Sequence, residues 1–427
     1  MLDKILLDID NHRNELINGL IELIKLPSSD KDATIAQTFV EKKLKQLNFE
    51  VDCFKGVDER CLKLDDYCKP DIEYHKDAYN VAGVYKSGSD KPSLMLFAHI
   101  DTEEKDYFGT FENPYDAYVE GDKIYGLGAS DDKGGIAMML YALEYVIKHT
   151  GQLPYDTTVL SILGKHGGAY GTLSALMKGY RGDYSLYLHP AETGHGFGEV
   201  KNISLGVVDL DIHVKGKLPK LHDDLDPGVN ANVMMSQIAL WLDTYNKTMR
   251  SKYVFDFGTF KGEPSYVLNV GSIVGENGYG GVNQKAKMKV RIRFYFPLTI
   301  DKVICDVKEY LKECCLNSDV INFDDIEIVK GNFNASPAIV DNDDPFVKFV
   351  EKQINTVSGI DTFIHQYHGG SDIRLPILYA NSKCVGIGPT CHLPYSKEGK
   401  REYIHIDDYI TGIKILASIL YYYPNML

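Results

Sequence analysis

SLMLFAHI, residues 93–100, is an almost uninterrupted apolar run, and TTVLSIL at 157–163 repeats the pattern. Strands in the middle of a parallel sheet are covered on both faces, so their sequences are continuously apolar and do not alternate. Between these two runs, residues 134–149 follow the spacing of a helix. Helices that alternate with such strands predict a three-layer α/β domain, in which a sheet lies between two layers of helices.

The pattern changes between residues 207 and 331, where strands alternate apolar and polar residues and two amphipathic helices separate them. The order β-α-β-β-α-β is that of a ferredoxin-like α+β unit. After residue 332 the α/β pattern returns. We therefore predict one α/β domain built from residues 1–206 and 332–427, with an α+β unit inserted at 207–331.

Composition excludes several classes of protein. The 427 residues carry 46 basic and 60 acidic side chains, a net charge of −14, which disfavours binding to nucleic acid. No apolar run approaches the roughly 20 residues that span a bilayer, and acidic residues punctuate the N-terminal segment, so we expect neither a membrane span nor a signal peptide. The eight cysteines are scattered without a CxxC pair, which favours a reduced, cytoplasmic protein.

Polar residues with metal-binding chemistry follow several of the predicted strands. In open α/β sheets, ligands collect at the edge formed by the carboxyl ends of the strands. His99 and Asp101 end the first run, and a His-x-Asp pair can present an imidazole to a metal with a carboxylate behind it. Asp131 and Asp132 precede a Gly pair that opens a helix, where a carboxylate can bridge two cations or simply cap the helix.

The remaining candidates are weaker when each is taken alone, because each is also compatible with a structural role. They follow later strands or lie in loops: Lys165 and His166 in SILGKHGG, His189, Glu192 and His195 in YLHPAETGHG, His222 in KLPKLHDD, and His392 in GPTCHLPY. The sequence lacks G-x-S-x-G, H-E-x-x-H and phosphate-binding G-x-x-x-x-G-K motifs.

Taken together and in order, these segments resemble the zinc-dependent aminoacylase and carboxypeptidase family, which includes acetylornithine deacetylase, succinyl-diaminopimelate desuccinylase and glutamate carboxypeptidase. The resemblance covers nearly the whole chain. It is carried by LIELIKLPSS, LFAHIDT, YGLGASDDKGG (with Leu127 in place of Arg), KGK…H…PGVNAN, GGSDIR and GIGP. It implies that the α/β domain is catalytic, and that the inserted unit is a lid through which two subunits form a homodimer.

The same resemblance implies a metal centre. His99 is expected to ligate one metal, Asp131 to bridge two, and Asp101 to orient His99. Glu192 is expected to complete the first site, with His189 as the competing candidate. The peptide bond between Asp131 and Asp132 is expected to be cis.

For the second metal, the resemblance implies His392 as a ligand, with His405 as the alternative, because Glu402 follows His392 by ten residues where the family has about four. His166 is expected to be a ligand of the same metal. His222 is expected to reach the active site of the partner subunit and stabilise an oxyanion. The expected metals are one or two zinc ions, the second less securely held, with cobalt or manganese as alternatives.

One departure from the family bears on activity. Lys165 and His166 stand where the family has two glutamates, the general base and a metal ligand. An imidazole can bind zinc, whereas a charged lysine cannot replace a carboxylate base; only a neutral lysine could accept the proton. The loss of these carboxylates also weakens the binding of two divalent cations side by side, because less negative charge offsets their repulsion. We therefore expect at most one tightly held metal.

The sequence thus predicts a metal-dependent amidohydrolase that cleaves an N-acyl amino acid or a small peptide. Arg293 and Arg374 are candidates for binding a substrate carboxylate, although Arg293 fits a strand-surface charge equally well. The alternative is a catalytically impaired relative that uses the same cleft to bind a small molecule or a partner.

Overall fold

The structure is a computed structural model. It describes residues 1–28, 33–69, 78–102, 113–165, 168–220, 225–256, 260–276, 278, 281–367, 369–392 and 401–426. The helices in this part of the chain are α1 Leu2–Asn11, α2 Arg13–Ile24, α3 Thr34–Gln46, α4 Lys133–Thr150, α5 Tyr170–Lys178, α6 Ala231–Lys252, α7 Ile300–Leu316, α8 Pro345–Ser358, α9 Arg374–Ala380 and α10 Ile406–Tyr422.

The strands in the described ranges are β1 Glu50–Lys55, β2 Tyr79–Tyr85, β3 Leu94–His99, β4 Tyr118–Glu120, β5 Lys123–Tyr125, β6 Thr157–Ile162, β7 Tyr184–Leu188, β8 Glu199–Ser204, β9 Gly206–Lys215, β10 Tyr266–Gly275, β11 Lys285–Phe294, β12 Ile326–Ala335, β13 Ala338–Ile339, β14 Phe363–Tyr367, β15 Lys383–Ile387 and β16 Tyr403–His405. By contact, the chain divides into one unit of Met1–Ile203, Ala338–Tyr367 and Ser371–Leu427, and a second of Ser204–Pro337 with His368–Gly370.

A mixed sheet forms the centre of the first unit, in the order β1-β2-β6-β3-β7-β15-β8-β13, with β14 paired to β8. Strands β6, β3, β7 and β15 are parallel neighbours, whereas β1, β2 and β8 pair antiparallel. The carboxyl ends of the four parallel strands therefore lie along one edge of the sheet. The α/β fold class predicted from the sequence is confirmed.

The apolar run of β3 shows why three layers form. Its successive side chains point to opposite faces of the sheet, and all of them are buried. Leu94 and Leu96 join a core that contains residues of α4 and α10, whereas Met95 and Phe97 join a second core with residues of α5. Both faces of the sheet therefore require apolar side chains along this strand from Leu94 to Ala98.

The second unit is a four-stranded antiparallel sheet in the order β10-β11-β9-β12, with α6 and α7 contributing to its core. Its chain order, β9-α6-β10-β11-α7-β12, is the β-α-β-β-α-β order read from the sequence. The unit extends from Ser204 to Pro337, compared with the predicted 207–331. The C-terminal bound lies later because β12 continues to Ala335, past a register shift between Lys330 and Asn334.

No helix in the described ranges combines the length and the apolar composition needed to cross a membrane.

Candidate metal centre

Three candidate residues lie at the carboxyl ends of parallel strands of the first unit, along the same edge of the sheet. His99 is the last residue of β3, Lys165 follows β6, and His189 directly follows β7. Asp131 lies just before α4, which begins at Lys133. The strand ends and the start of this helix thus bring the candidates together.

His99, Asp131 and His189 form a group that can hold a metal ion, with ligand atoms all within 4.8 Å of one another. Asp131 Oδ1 lies 2.8 Å from His99 Nε2 and 3.4 Å from His189 Nε2. Ligands on a tetrahedral zinc ion are separated by about 3.3 Å when the bonds are about 2.0 Å. The two imidazoles and the carboxylate between them therefore fit one metal ion.

The other ring nitrogens of the two histidines are held by the main chain. His99 Nδ1 donates to the carbonyl oxygen of Asp101 at 2.9 Å, and His189 Nδ1 donates to that of Pro190 at 3.2 Å. With Nδ1 as the donor to the main chain, Nε2 is the nitrogen of each ring that faces Asp131 and that would bind a metal ion after losing any proton it carries. The donor chemistry thus agrees with the geometry.

Asp101 orients His99 in a different way from the one expected. Its carboxylate Oδ1 lies 3.6 Å from His99 Nδ1, whereas its main-chain oxygen makes the hydrogen bond. The other carboxylate oxygen, Oδ2, accepts the main-chain N–H of Lys165 at 3.0 Å. Asp101 therefore links the strand end that carries His99 to the loop that carries Lys165.

Burial and charge set the protonation states of the group. Burial lowers the pKa of His189 to about 4, against the opposing effect of Asp131, so its ring is neutral at pH 7. Burial opposes ionisation of Asp131, but the two histidines hold its pKa well below the ordinary value. Burial also opposes protonation of His99, whose pKa the carboxylates of Asp101 and Asp131 nonetheless raise well above the ordinary value. A metal cation bound between these residues would replace the proton that His99 holds next to the carboxylates.

Glu402 holds the loop that presents Asp131. Its buried carboxylate accepts the N–H groups of Gly128 and Ser130 at 2.8 Å each and that of Asp131 at 2.9 Å, and the Ser130 hydroxyl donates to it at 3.1 Å. Burial raises the pKa of Glu402 to about 7, although the main-chain donors oppose the shift. The peptide bond between Asp131 and Asp132 is cis, as the resemblance implies.

We expect Glu402→Gln to weaken zinc binding by about ten- to a hundredfold, the usual cost of disturbing a group that supports a metal ligand. The amide places an NH₂ group against a main-chain N–H, so the loop must shift and Asp131 shifts with it. Competition against a chromophoric chelator measures the affinity. Glu120→Gln, at an exposed position of β4, is the matched control. Equal zinc affinity in the two variants would refute the supporting role.

Lys165 is a charged neighbour of the group. Its Nζ lies 3.2 Å from Oδ1 of the buried Asp372, whose Oδ2 accepts the Thr172 hydroxyl at 2.6 Å. Burial opposes ionisation of Asp372, but the Lys165 ammonium lowers its pKa. An ammonium in such an ion pair has no lone pair with which to act as a base.

Glu192 and His189, the two candidates for the remaining ligand of the first metal, have different surroundings. Glu192 is exposed and lies outside the metal-binding group, whereas His189 is buried and belongs to it. We therefore propose His189, the competing candidate from the sequence, as the ligand in preference to Glu192. The reason is position: His189 is the first residue after β7, whereas Glu192 lies three residues further along the loop.

The ligands expected for a second metal do not form a group among the described residues. His392 stacks on Tyr403 with ring centroids 4.2 Å apart, and its main-chain N–H donates to the Ser130 hydroxyl at 3.4 Å. His405 Nδ1 lies 2.9 Å from Asp122 at a more exposed position. The predictions for His166 and His222 fall outside the described residues.

The two arginines proposed to bind a substrate carboxylate have different environments. Arg374 is fully buried, and its guanidinium donates to Asp66 at 3.3 Å and to the carbonyl oxygens of Ser371 at 3.0 Å and Gly168 at 3.2 Å. Arg293 is half-buried on β11 of the second unit. The contacts of Arg374 are those of a structural residue that joins three segments of the first unit.

We therefore expect Arg374→Met to destabilise the protein by about 3 kcal/mol, because it leaves the buried Asp66 without its cationic partner. Arg293→Met serves as the control and should change the free energy of unfolding by less than about 1 kcal/mol. Urea denaturation measures both. An Arg374→Met protein of unchanged stability but weakened substrate binding would restore the substrate-binding role.

Comparisons with known proteins agree with this fold. The family model described as peptidase family M20/M25/M40 matches residues 95–422. Carboxypeptidase G2 of Pseudomonas sp. (strain RS-16) is 29% identical over 233 residues, which cover 53% of this chain and 50% of that protein. The N-formyl-4-amino-5-aminomethyl-2-methylpyrimidine deformylase of Bacillus subtilis (strain 168) is 24% identical over 322 residues, 71% of this chain and 68% of that protein.

Among solved structures, aminopeptidase PepT from Bacillus cereus ATCC 10987 superposes with a TM-score of 0.72 at 15% identity, covering 96% of this chain and 98% of that one. This likeness shows the shared fold. The match to carboxypeptidase G2 spans only half of that relative's length.

Proposed function

The chain belongs to peptidase family M20/M25/M40, and from this membership we propose that it is a metal-dependent hydrolase of peptide or acyl-amino-acid amide bonds. The observation that carries the proposal is the group of His99, Asp131 and His189 at the carboxyl edge of the sheet. Three protein ligands on a tetrahedral ion leave one position for water or substrate, the pattern of catalytic zinc sites.

We propose an N-acyl amino acid or a small peptide as substrate, and one zinc ion, with cobalt or manganese as substitutes. The names of the relatives support the reaction class, because a carboxypeptidase, a deformylase and an aminopeptidase all cleave C–N bonds. We also propose a homodimer formed through the second unit, and a cytoplasmic location. The location is supported by the eight cysteines, which are all free.

Each residue of the centre has its own role in the proposed reaction. A divalent metal bound at this group supplies Lewis-acid polarisation of the scissile carbonyl and lowers the pKa of a bound water. His99 and His189 would hold such an ion through Nε2, and the Asp131 carboxylate would neutralise part of its charge. Asp101 and Glu402 keep His99 and Asp131 in place. Because Lys165 is engaged as an ammonium with Asp372, proton abstraction by this side chain is disfavoured, and we expect slow turnover.

The Lys165–Asp372 ion pair also supports a second candidate function. A relative with a cation at the position of the base can bind a substrate-like molecule at the metal without cleaving it. In that case the protein acts through metal-dependent binding of a small molecule or a partner.

A hydrolysis panel separates the two functions. Protein loaded with zinc, cobalt or manganese is incubated with N-acetyl, N-succinyl and N-formyl amino acids and with dipeptides, and the release of primary amine is measured. We expect slow release that needs metal and is lost in His99→Ala. No release from any compound at full metal occupancy would reject the hydrolase and leave the binding protein.

A further inference from the structure

Lys133 is completely buried, which is rare for a lysine. It is the first residue of α4 and lies two positions after Asp131. Its Nζ donates to the carbonyl oxygens of Ile24 at 3.1 Å and of Leu26 at 2.6 Å. Burial lowers the pKa of Lys133 to about 7, against the effect of Glu402, but a neutral amine still has two N–H donors. Both carbonyl oxygens therefore have a partner in either protonation state.

The two carbonyl groups lie at the end of α2, where such groups need a donor from outside the helix. α2 ends at Ile24, and the last four carbonyl oxygens of a helix have no partner within it. The same end of a helix carries the negative pole of its dipole, which attracts a cation. The Lys133 side chain matches this position in hydrogen bonding and in charge. The first turn of α4 is therefore held to the last turn of α2.

The end of α2 also supports the loop that follows β3. The carbonyl oxygen of Ser28 accepts the main-chain N–H of Thr102 at 2.9 Å. Thr102 directly follows Asp101, whose carbonyl oxygen holds His99. The same short segment, residues 24–28, therefore supports both loops that carry the metal-binding group.

Gly128 allows these groups to come together. It has a φ of +84°, in the left-handed region that favours glycine, and its N–H donates to Glu402. A Cβ at this position would lie 2.7 Å from Thr102 Cγ2 and 3.1 Å from Lys133 Cδ. The main-chain N–H of Lys133 in turn donates to the Gly128 carbonyl oxygen at 2.9 Å. The Lys133 side chain thus packs closely against the loop that presents Asp131.

We propose that Lys133 is a positioning residue of the metal centre: by holding the start of α4 to the end of α2, it fixes the carboxylate of Asp131 between the two histidine ligands. The inference rests on the proposed function for the presence of a metal ion, and on the contacts of Lys133 for its role. Glu402 binds the N–H groups of this loop, whereas Lys133 sets the place of the loop relative to α2. Loss of one support therefore leaves the other in place.

Zinc affinity and the spectrum of cobalt-loaded protein test the inference without any turnover. In Lys133→Met the side chain keeps a similar length but has no donor, so the two carbonyl groups at the end of α2 lose their partner. We expect zinc to bind about tenfold more weakly, the usual cost of disturbing a group that supports a metal ligand. The visible absorption of the cobalt-loaded variant at full occupancy should also change, because it reports the geometry of the ligands.

Two further variants locate the effect. Lys133→Arg keeps the charge and the N–H donors and should recover most of the zinc affinity. Lys148→Met, in the last turn of the same helix, is the matched control and should bind zinc as the natural protein does. A lysine with only a structural role would lower the thermal stability but leave the zinc affinity and the cobalt spectrum of the folded Lys133→Met unchanged. That result would overturn the inference.

If Lys133→Met does not fold, hydrogen exchange of the natural protein takes its place. Zinc bound at Asp131 should slow exchange at residues 20–28, through the contacts of Lys133, at least about threefold more than at residues 2–11 of α1. Equal exchange at residues 20–28 with and without zinc would overturn the inference.

The outcomes also separate this inference from the proposed function. A protein that releases no amine, but whose zinc affinity depends on Lys133, keeps the inference and loses the hydrolase. A protein that hydrolyses the panel, but whose zinc affinity is equal in Lys133→Met, keeps the hydrolase and loses the inference.

Discussion

His189→Ala should weaken zinc binding by at least about a hundredfold, whereas Glu192→Ala should leave the affinity within about twofold of the natural protein. The reason is position: His189 Nε2 lies 3.4 Å from the Asp131 carboxylate, and Glu192 is exposed outside the group. Chelator competition measures the affinities, and metal analysis after dialysis gives the number of ions retained, expected to be one per chain.

Far-ultraviolet circular dichroism of both variants verifies that the fold is intact. The reverse ranking, with zinc lost in Glu192→Ala and kept in His189→Ala, would return Glu192 to the first metal site. Retention of two zinc ions by the natural protein would mean that the second site binds zinc more tightly than its reduced number of carboxylates predicts.

Lys165→Glu should raise the rate of metal-dependent hydrolysis by about a hundredfold, the scale of a positioned general base. The substitution places a carboxylate at the position where the family has its base. It also leaves two buried carboxylates near each other, because Asp372 lies 3.2 Å from the Lys165 ammonium. For this reason the double variant Lys165→Glu/Asp372→Asn should be the more stable of the two.

Lys165→Gln is the matched control, because it removes the positive charge without adding a base. Initial rates of amine release are compared at equal zinc occupancy, and thermal unfolding reports the stability of each protein. If neither glutamate variant exceeds Lys165→Gln in rate, the missing base is not the cause of slow turnover, and the binding function is favoured.

The layered fold was predictable because burial on two faces leaves a signature in composition. The residues of β3 that precede His99 are all apolar, so the run at 93–100 reveals a covered strand before any tertiary contact is known. The bounds of the second unit were harder to predict from the sequence. Its last strand, β12, continues past an irregularity between Lys330 and Asn334, and local alternation breaks at such a point.

The centre was predictable in part. His99 and Asp131 were named as ligands from the motifs that carry the family resemblance, because their places beside a strand end and a helix start fit a structural role as well. The choice between His189 and Glu192 needed the path of the loop after β7. Glu402 was noticed only for its spacing from His392. Its bonds go to main-chain N–H groups, which every residue except proline has, so no pattern of side chains marks their partner.

Glu402 has a consequence for the order of events during synthesis. The N–H of Asp131 and the carboxylate that holds it are 271 residues apart in the chain. While the ribosome is still adding the intervening residues, Asp131 has emerged but its loop has no such support. The loop that presents Asp131 therefore gains this support only when the last α/β segment has been made and has folded back onto the sheet.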